Sequence, residues 1–320
     1  MEKASDPHLK IVVIMSTYNG AAFVEEQLRS ILDQLPPTAQ VLIRDDGSSD
    51  NTVSCIRAIA DARITLWTGP NLGFVRSFFA LMHAVPLDAD IIMFSDQDDI
   101  WLPEKVRRTC SALQGRDVRP TLYASRYRVV GAELQPICSS TNFRKEPSFA
   151  NAVCENIVAG CTMALNQSGL KLVRSGGNLA RIVSHDWWAY LVITALGDLV
   201  FDRVETILYR QHASNSIGMH QGLKSQIRRL KILANSACVI NRHVTNLIET
   251  HGAYLGDEKA RIIRQYFDFK RAASVFRFIF SMERFRLAPQ DDLALRCAVA
   301  FTWLFRRRDL KDLTFPMERV

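Results

Sequence analysis

The 320-residue chain has no run of 18 or more apolar residues, so no transmembrane helix is expected. Its most apolar stretch, 189–201, is too short to cross a bilayer and contains Asp198. The opening residues, MEKASDPH, lack the apolar core of a secretory leader. Seven cysteines is an odd number, and none forms a C-x-x-C pair. Cys55, Cys154, Cys161 and Cys297 lie in apolar runs, so reduced, buried thiols in a cytoplasmic protein are expected rather than a disulfide framework or a zinc site. H-E-x-x-H, G-x-G-x-x-G and G-x-x-x-x-G-K-[ST] are all missing. That argues against zinc-protease chemistry, the usual dinucleotide-binding turn and a P-loop. Internal repeats and low-complexity segments are missing as well.

What is present is an ordinary globular composition, 48% hydrophobic and 23% charged, with an uneven net charge of +7. Residues 213–320 carry 19 Lys and Arg against 10 Asp and Glu, so the excess cations sit in the tail. The first 100 residues alternate. Leu9–Met15 is a continuous apolar, β-branched run, as expected of a strand buried on both faces. Residues 23–35 show apolar residues at helical spacing and stop at Pro36-Pro37. Strands are then expected at 41–43, 64–67 and 91–94, with helices at 52–60 and 74–85. This β-α-β-α-β-α-β order predicts an α/β fold with a mostly parallel sheet flanked by helices. Ligands bind such sheets at the carboxyl ends of the strands, where the polar clusters at Thr17, Asp45 and Asp96 fall. Further strands are expected at 121–130, 162–165 and 200–210, and a helix at 187–196. From 223 onward the pattern is helical, over 223–250, 257–282 and 292–305.

Two acidic motifs carry chemistry. Asp96-Gln97-Asp98-Asp99 follows a buried strand. Carboxylates this close repel unless a cation lies between them, and oxygen ligands suit Mg²⁺ or Mn²⁺ shared with substrate phosphates. A bare D-x-D is also common in solvated turns, so its position after a strand supplies most of its weight. In Asp45-Asp46-Gly47-Ser48-Ser49-Asp50, a strand-end carboxylate can accept from a base or ribose, while Ser48, Ser49 or Asp50 can cap the following helix.

In order and spacing, Ser16-Thr17-Tyr18-Asn19-Gly20, Asp45-Asp46-Gly47-Ser48-Ser49-Asp50, Asn71-Leu72-Gly73 and Asp96-Gln97-Asp98-Asp99 resemble the family-2 inverting glycosyltransferases of GT-A fold. The segments 95–101 (SDQDDIW), 185–188 (HDWW) and 209–215 (YRQHASN) are most similar to the bacterial rhamnosyltransferase-type branch. The resemblance spans about residues 9–218. It implies a catalytic nucleotide-sugar-binding domain over 1–218, followed by a basic helical region over 219–320.

The resemblance also implies roles. Thr17 and Tyr18 would lie along the nucleotide, Asp45 would hold the base, and Asp46 would assist or support the turn. Asn19, Asn71 and Gln97 join the nucleotide-binding set as members of the same motifs. Asp96 would meet the ribose and Asp98 the metal. Asp186 would be the base that deprotonates the acceptor hydroxyl, beside tryptophans (Trp187, Trp188) that could stack on a sugar or simply fill the core. The family's commoner pair there is Glu-Asp, so His185 is a departure whose role is open. His212 could contact the metal or the diphosphate, Arg210 the diphosphate, and Arg76 the nucleotide. Gly160-Cys161-Thr162 could border the acceptor pocket.

The activity implied is metal-dependent, inverting transfer of a sugar from a nucleotide diphosphate to a glycan or lipid-linked glycan. By resemblance alone the donor is dTDP-rhamnose and the setting bacterial surface polysaccharide. Basic amphipathic stretches such as 223–231 and 276–286 suit the anionic cytoplasmic face of a membrane, and could equally pack on the catalytic domain or on a second copy of the chain. No nucleic-acid partner is expected, because no reading motif accompanies the charge. One rival is a nucleotidyltransferase that makes a sugar nucleotide, although 16–20 lacks the Gly-rich basic loop it needs. Another is a non-catalytic sugar-nucleotide-binding module, which needs no base.

Overall fold

The computed structural model describes residues 9–143, 145–212, 236–269 and 271–305. Its first half follows the expected alternation: β1 (Ile11–Thr17), α1 (Val24–Leu32), β2 (Gln40–Asp45), α2 (Thr52–Ala58), β3 (Ile64–Thr68), α3 (Phe74–Ala84) and β4 (Ile91–Ser95). The four strands are parallel, in the order β3-β2-β1-β4. Side chains of a strand alternate between faces, and here both faces are covered. Val12, Ile14, Leu42, Ile92 and Phe94 enter one core with Phe78, Leu81 and Met82 of α3. Ile11, Val13, Met15, Ile43 and Met93 enter the other with Val24, Leu28 and Ile31 of α1. That two-sided burial is why β1 reads as an unbroken apolar run.

The second half extends the sheet and reverses strand direction. β5 (Ile100–Trp101), α4 (Lys105–Leu113), β6 (Thr121–Val130), β7 (Pro136–Ser139), α5 (Phe149–Cys154), β8 (Ala164–Asn166), α6 (Gln167–Val173), α7 (His185–Leu196) and β9 (Asp198–Arg210) follow. The full order is β3-β2-β1-β4-β8-β6-β9-β5, with β7 on β6. β8 is antiparallel to both β4 and β6, while β6 and β9 run parallel. The strand expected at 162–165 is shorter and later, because Gly160–Thr162 forms a 3-10 turn first.

After residue 235 the chain is helical: α8 (Ser236–His251), α9 (Asp257–Ile262) running into a π turn at Ile263–Phe267, α10 (Ala272–Phe280) and α11 (Pro289–Phe305). The single helix expected over 257–282 is broken at Asp268 (φ −80, ψ 76). Phe267 and Phe269 both pack into one cluster with Phe278 and Phe285. Residues two apart point to different sides of a helix, so burying both requires the break. Ala237, Ile240, Val244 and Leu247 of α8 share a core with Trp188 and Leu191 of α7. The expected boundary at 218/219, the basic stretch 223–231 and Arg306–Arg308 lie outside the described residues. Among the described residues no helix is long and apolar enough to cross a membrane. All seven cysteines are free, but Cys297 is exposed and Cys55 half-buried, unlike the buried thiols expected there.

Candidate active site

The chain leaves β1 for β2 and β3 on one side, then returns to β4 on the other. Such a switch in strand order opens a crevice at the carboxyl ends of the strands. A cleft of about 620 Å³ lies there, lined on one side by Ser16, Thr17, Tyr18, Asp46, Asn71 and Gly73, and crossed by Asp96, Gln97 and Asp98.

The β1–β4 wall is closely tied by its own hydrogen bonds. The buried Asp45 accepts from Thr17 Oγ1 at 2.9 Å and from the Ser48 N–H and hydroxyl at 2.9 and 2.6 Å. Asp46 accepts from the N–H groups of Leu72 and Gly73 at 2.8 and 2.9 Å and pairs with the buried guanidinium of Arg44. Gly73 holds φ +79, a backbone conformation open to glycine, as it caps α3. Gln97 bridges the backbone N–H and carbonyl of Tyr18 at 2.8 and 3.0 Å, leaving the phenol half-exposed on the rim.

The acidic motif sits at the cleft floor. Burial, with the nearby Asp98 and Asp186 carboxylates, pushes Asp96 up to about 7. Asp98 Oδ2 lies 2.8 Å from His212 Nε2. The carboxylate oxygens that Asp96 and Asp98 present to the cleft are of the type that Mg²⁺ or Mn²⁺ takes. A second cluster joins Asp96 with Asp99 and the Cys161 thiol within 4.8 Å. It suits a hard cation poorly: burial holds both the thiol and the Asp99 carboxyl well above their ordinary values, so neither is readily ionised. Beneath it, fully buried Lys105 is pushed down to about 8 by burial while Asp99 and Cys161 oppose the shift.

The opposite wall is built by α7, the 156–161 segment, Tyr127 and Tyr209. Asp186 lies in the first turn of α7. Its carboxylate accepts from Gly160 N at 3.1 Å and Trp187 N at 2.7 Å, which aims it at the cleft. His185 is buried against Phe78, ring centroids 3.9 Å apart.

Thr17, Tyr18, Asp46, Asn71, Asp96, Gln97, Asp98 and Asp186 are thus brought to one cleft. Other expected residues are placed elsewhere. Asp45 lies beneath the wall, bonded to Thr17 and Ser48, and Asp46 is the one that lines the cleft, the reverse of the expected order. Asn19, in the left-handed region at φ 49, pins Ser48 and Ser49 rather than lining the cleft. Arg76 is exposed and is not part of the cleft lining. Arg210 is a structural clamp: its side chain donates to the carbonyls of Asp98 and Ala132 and pairs with Glu26, and its N–H donates to Asp99. His212 stands behind Asp98, against Phe23. Neither tryptophan reaches the cleft: Trp188 is fully buried, and Trp187 donates to Ala152 O and packs on His243 of α8. Helix α2 begins without a side-chain cap at Asn51, but Asp50 takes the Thr52 N–H at 3.0 Å. Sequence reasoning missed Arg44, Phe74, Phe78, Tyr127, Tyr209 and the 156–159 loop. Arg44 carried a signal as a lone cation at the end of an apolar strand, and Tyr209 as the first residue of the 209–215 segment.

The sequence model of "Glycosyl transferase family 2" matches residues 12–153. The dTDP-rhamnosyl transferase RfbG of Shigella flexneri is 31% identical over 238 residues, covering 69% of this chain and 79% of that protein. In fold, the chain is similar to S. aureus TarS 1-349 in complex with UDP-GlcNAc, with TM-score 0.58 and 14% identity over 95% of this chain and 89% of that one. It is also similar to the mannosyltransferase PcManGT of Pyrobaculum calidifontis in complex with GDP-Man and Mn²⁺, with TM-score 0.53 and 18% identity over 95% and 90% of the two chains. With the switch-point cleft, the sheet order and these relations together, the chain belongs to glycosyltransferase family 2 and has the GT-A fold.

Proposed function

We propose that this protein transfers a sugar, with inversion, from a nucleotide diphosphate to a hydroxyl of a glycan or lipid-linked glycan. The observation that carries the reading is the meeting of Asp186 with Asp96 and Asp98 in one cleft, close enough for Asp186 to help raise the Asp96 carboxyl. Asp186 takes the proton from the acceptor hydroxyl, whose oxygen attacks the anomeric carbon. The bond from that carbon to the diphosphate breaks on the opposite face, and the nucleoside diphosphate leaves. Asp46, Asn71, Thr17 and Tyr18 hold the nucleotide along the β1–β4 wall, and Gln97 fixes the Tyr18 backbone. Asp98, with Asp96 beside it in the cleft, would hold the metal, which, bound, neutralises charge on the departing diphosphate, and His212 would orient the Asp98 carboxylate from behind.

The relation to a dTDP-rhamnosyl transferase supports dTDP-rhamnose as donor and bacterial surface polysaccharide as setting. Residues 1–218 form the proposed catalytic domain. Work at the inner face of the cell membrane remains part of the proposal, supported by the basic charge of the tail and by exposed Phe276, Phe280 and Met282 beside Arg277. Self-association through that face is the other use such a surface allows.

The test is calorimetry and product analysis with dTDP-rhamnose and a panel of UDP- and GDP-sugars, with and without Mn²⁺, on wild type and Asp98→Ala. Metal-dependent binding of dTDP-rhamnose, lost in the variant, with release of dTDP on turnover, is expected. Turnover of UDP-sugars alone would overturn the donor and keep the class. Release of pyrophosphate would indicate a nucleotidyltransferase, and binding without turnover a binding module.

A further inference from the structure

Among the described residues, the buried tyrosines use their hydroxyls inside the fold: Tyr123 donates to Asp202 at 2.9 Å and Tyr190 to Asn151 at 2.7 Å. Tyr127 does not. It stands on β6 beside Tyr209 of the neighbouring strand β9, ring centroids 5.2 Å apart and tilted by 53°, and both line the cleft on the Asp186 side. The Tyr127 backbone is paired with Ser140, but the hydroxyl has no hydrogen-bond partner among the described residues. Nor is that oxygen sealed in the core. The residue is only partly buried, and its oxygen is not one of the enclosed, unpartnered atoms, so it meets the open space of the cleft.

The chemistry at this end of the cleft narrows what it receives. Burial, with Cys161, Cys138, Asp99 and Asp186 adding to it, pushes the Tyr127 phenol up to about 12, so it is a neutral O–H at pH 7 that can donate and accept. The described residues that line the cleft include no lysine or arginine, and the cations flanking Tyr127 in the chain, Arg126 and Arg128, pair with Glu205. A phosphate arriving here would find no cation among them. A sugar finds an aromatic surface and a neutral hydroxyl. Inversion also fixes the side of approach. The acceptor oxygen reaches the anomeric carbon from the face opposite the departing diphosphate, next to the base. Tyr127 is close enough to Asp186 for that carboxylate to act on its phenol. We propose that Tyr127 and Tyr209 form the acceptor subsite, which takes an uncharged sugar residue. The rings pack on that sugar, and the Tyr127 hydroxyl bonds one of its hydroxyls so that a neighbouring hydroxyl stands at Asp186. This rests on the glycosyltransferase reading above. The transferred sugar offers the same chemistry, so the experiment separates donor from acceptor.

The full chain is studied as wild type and as Tyr127→Phe, which keeps the ring and removes the hydroxyl, with thermal melts to check folding. The donor is the nucleotide sugar that wild type selects, with Mn²⁺ present. Acceptor probes are p-nitrophenyl glycosides of common hexoses and deoxyhexoses, and the same sugars as alkyl diphosphates. Wild type should transfer to at least one neutral glycoside. In Tyr127→Phe the KM for that glycoside should rise about fivefold to tenfold, the loss of one hydrogen bond. The donor dissociation constant by calorimetry, and the slow transfer of donor to water without acceptor, should stay within about twofold of wild type. Transfer to no neutral glycoside, whether or not the diphosphates react, overturns the proposal. So does an unchanged acceptor KM, or donor affinity that weakens as much as acceptor KM rises, which marks a donor-side or structural role. Wild-type binding decides the glycosyltransferase reading separately: if no nucleotide sugar binds wild type, that reading fails before acceptors are compared.

Discussion

The two walls of the cleft differ in how their polar groups are satisfied. On the β1–β4 wall, Asp45, Asp46, Arg44 and Thr17 are held by partners within the fold. On the α7 wall, the His185 nitrogens have none among the described residues, and Asp186 is held by two backbone N–H groups. On the proposed function, the preorganised wall is the one that holds the nucleotide, which every reaction cycle presents. On the same proposal, the α7 wall, which carries Asp186, is the one that serves the sugar and its acceptor. The lesson is that the first wall is defended by stability and the second by chemistry, and substitutions should divide the same way.

The largest effect belongs to the α7 wall. Asp186→Asn keeps the shape and one of the two N–H contacts but removes the base, so kcat/KM should fall by about 10²–10⁴ with donor affinity unchanged, measured by steady-state turnover and calorimetry. An equal loss of donor affinity would show that Asp186 serves the first wall instead.

Next is Asp46→Ala, which leaves the Arg44 guanidinium buried without its carboxylate and frees two N–H groups. Breaking such a pair should cost about 3–5 kcal/mol, read by urea denaturation. A small change would mean that water replaces the pair and that this wall is less dry than it is drawn.

Acid should probe the α7 wall and the helix behind it. His185 falls to about 4 and His243 to about 3, both chiefly by burial, with Asp186 opposing the shift at His185 and Arg242 adding to it at His243. For a depressed histidine the stabilisation is complete above the unfolded pKa near 6.5 and is lost as pH falls through the folded value. Between pH 7 and 4, wild type should lose about 2–3 kcal/mol more than His185→Phe. Parallel pH profiles would show that water reaches the ring.

The smallest effect sharpens the contrast by absence. Arg76→Ala should change stability by less than about 0.5 kcal/mol and donor affinity by less than about twofold, since the residue is exposed and is not part of the cleft lining. A tenfold loss of donor affinity would move Arg76 onto the nucleotide wall.

The first wall was also the more legible. Its strands are continuous apolar runs because both faces are buried, and its motifs end those strands, so local pattern and tertiary role coincide. The sense of the Asp45–Asp46 pair was not legible. Adjacent strand residues face opposite ways, and which of them faces ligand depends on Thr17 and Ser48 reaching one and the 72–73 backbone the other. Arg210 was misplaced for the same kind of reason: Glu26 and the Asp98 carbonyl, distant in sequence, claim it first. The tryptophans were ambiguous, since a bulky aromatic at a helix start serves a core as well as a sugar.

By itself the sequence determined the α/β alternation, the parallel start of the sheet, the family and the strand-end acidic motifs. Each of these depends on residues within one element or one turn. Only the tertiary structure decided that β8 inserts antiparallel beside β4, that helix 257–282 must break to bury Phe267 and Phe269 together, and that Asp186 shares a cleft with Asp96 and Asp98. Those outcomes depend on contacts between segments far apart in the chain, where the energy of burying side chains outweighs local preference.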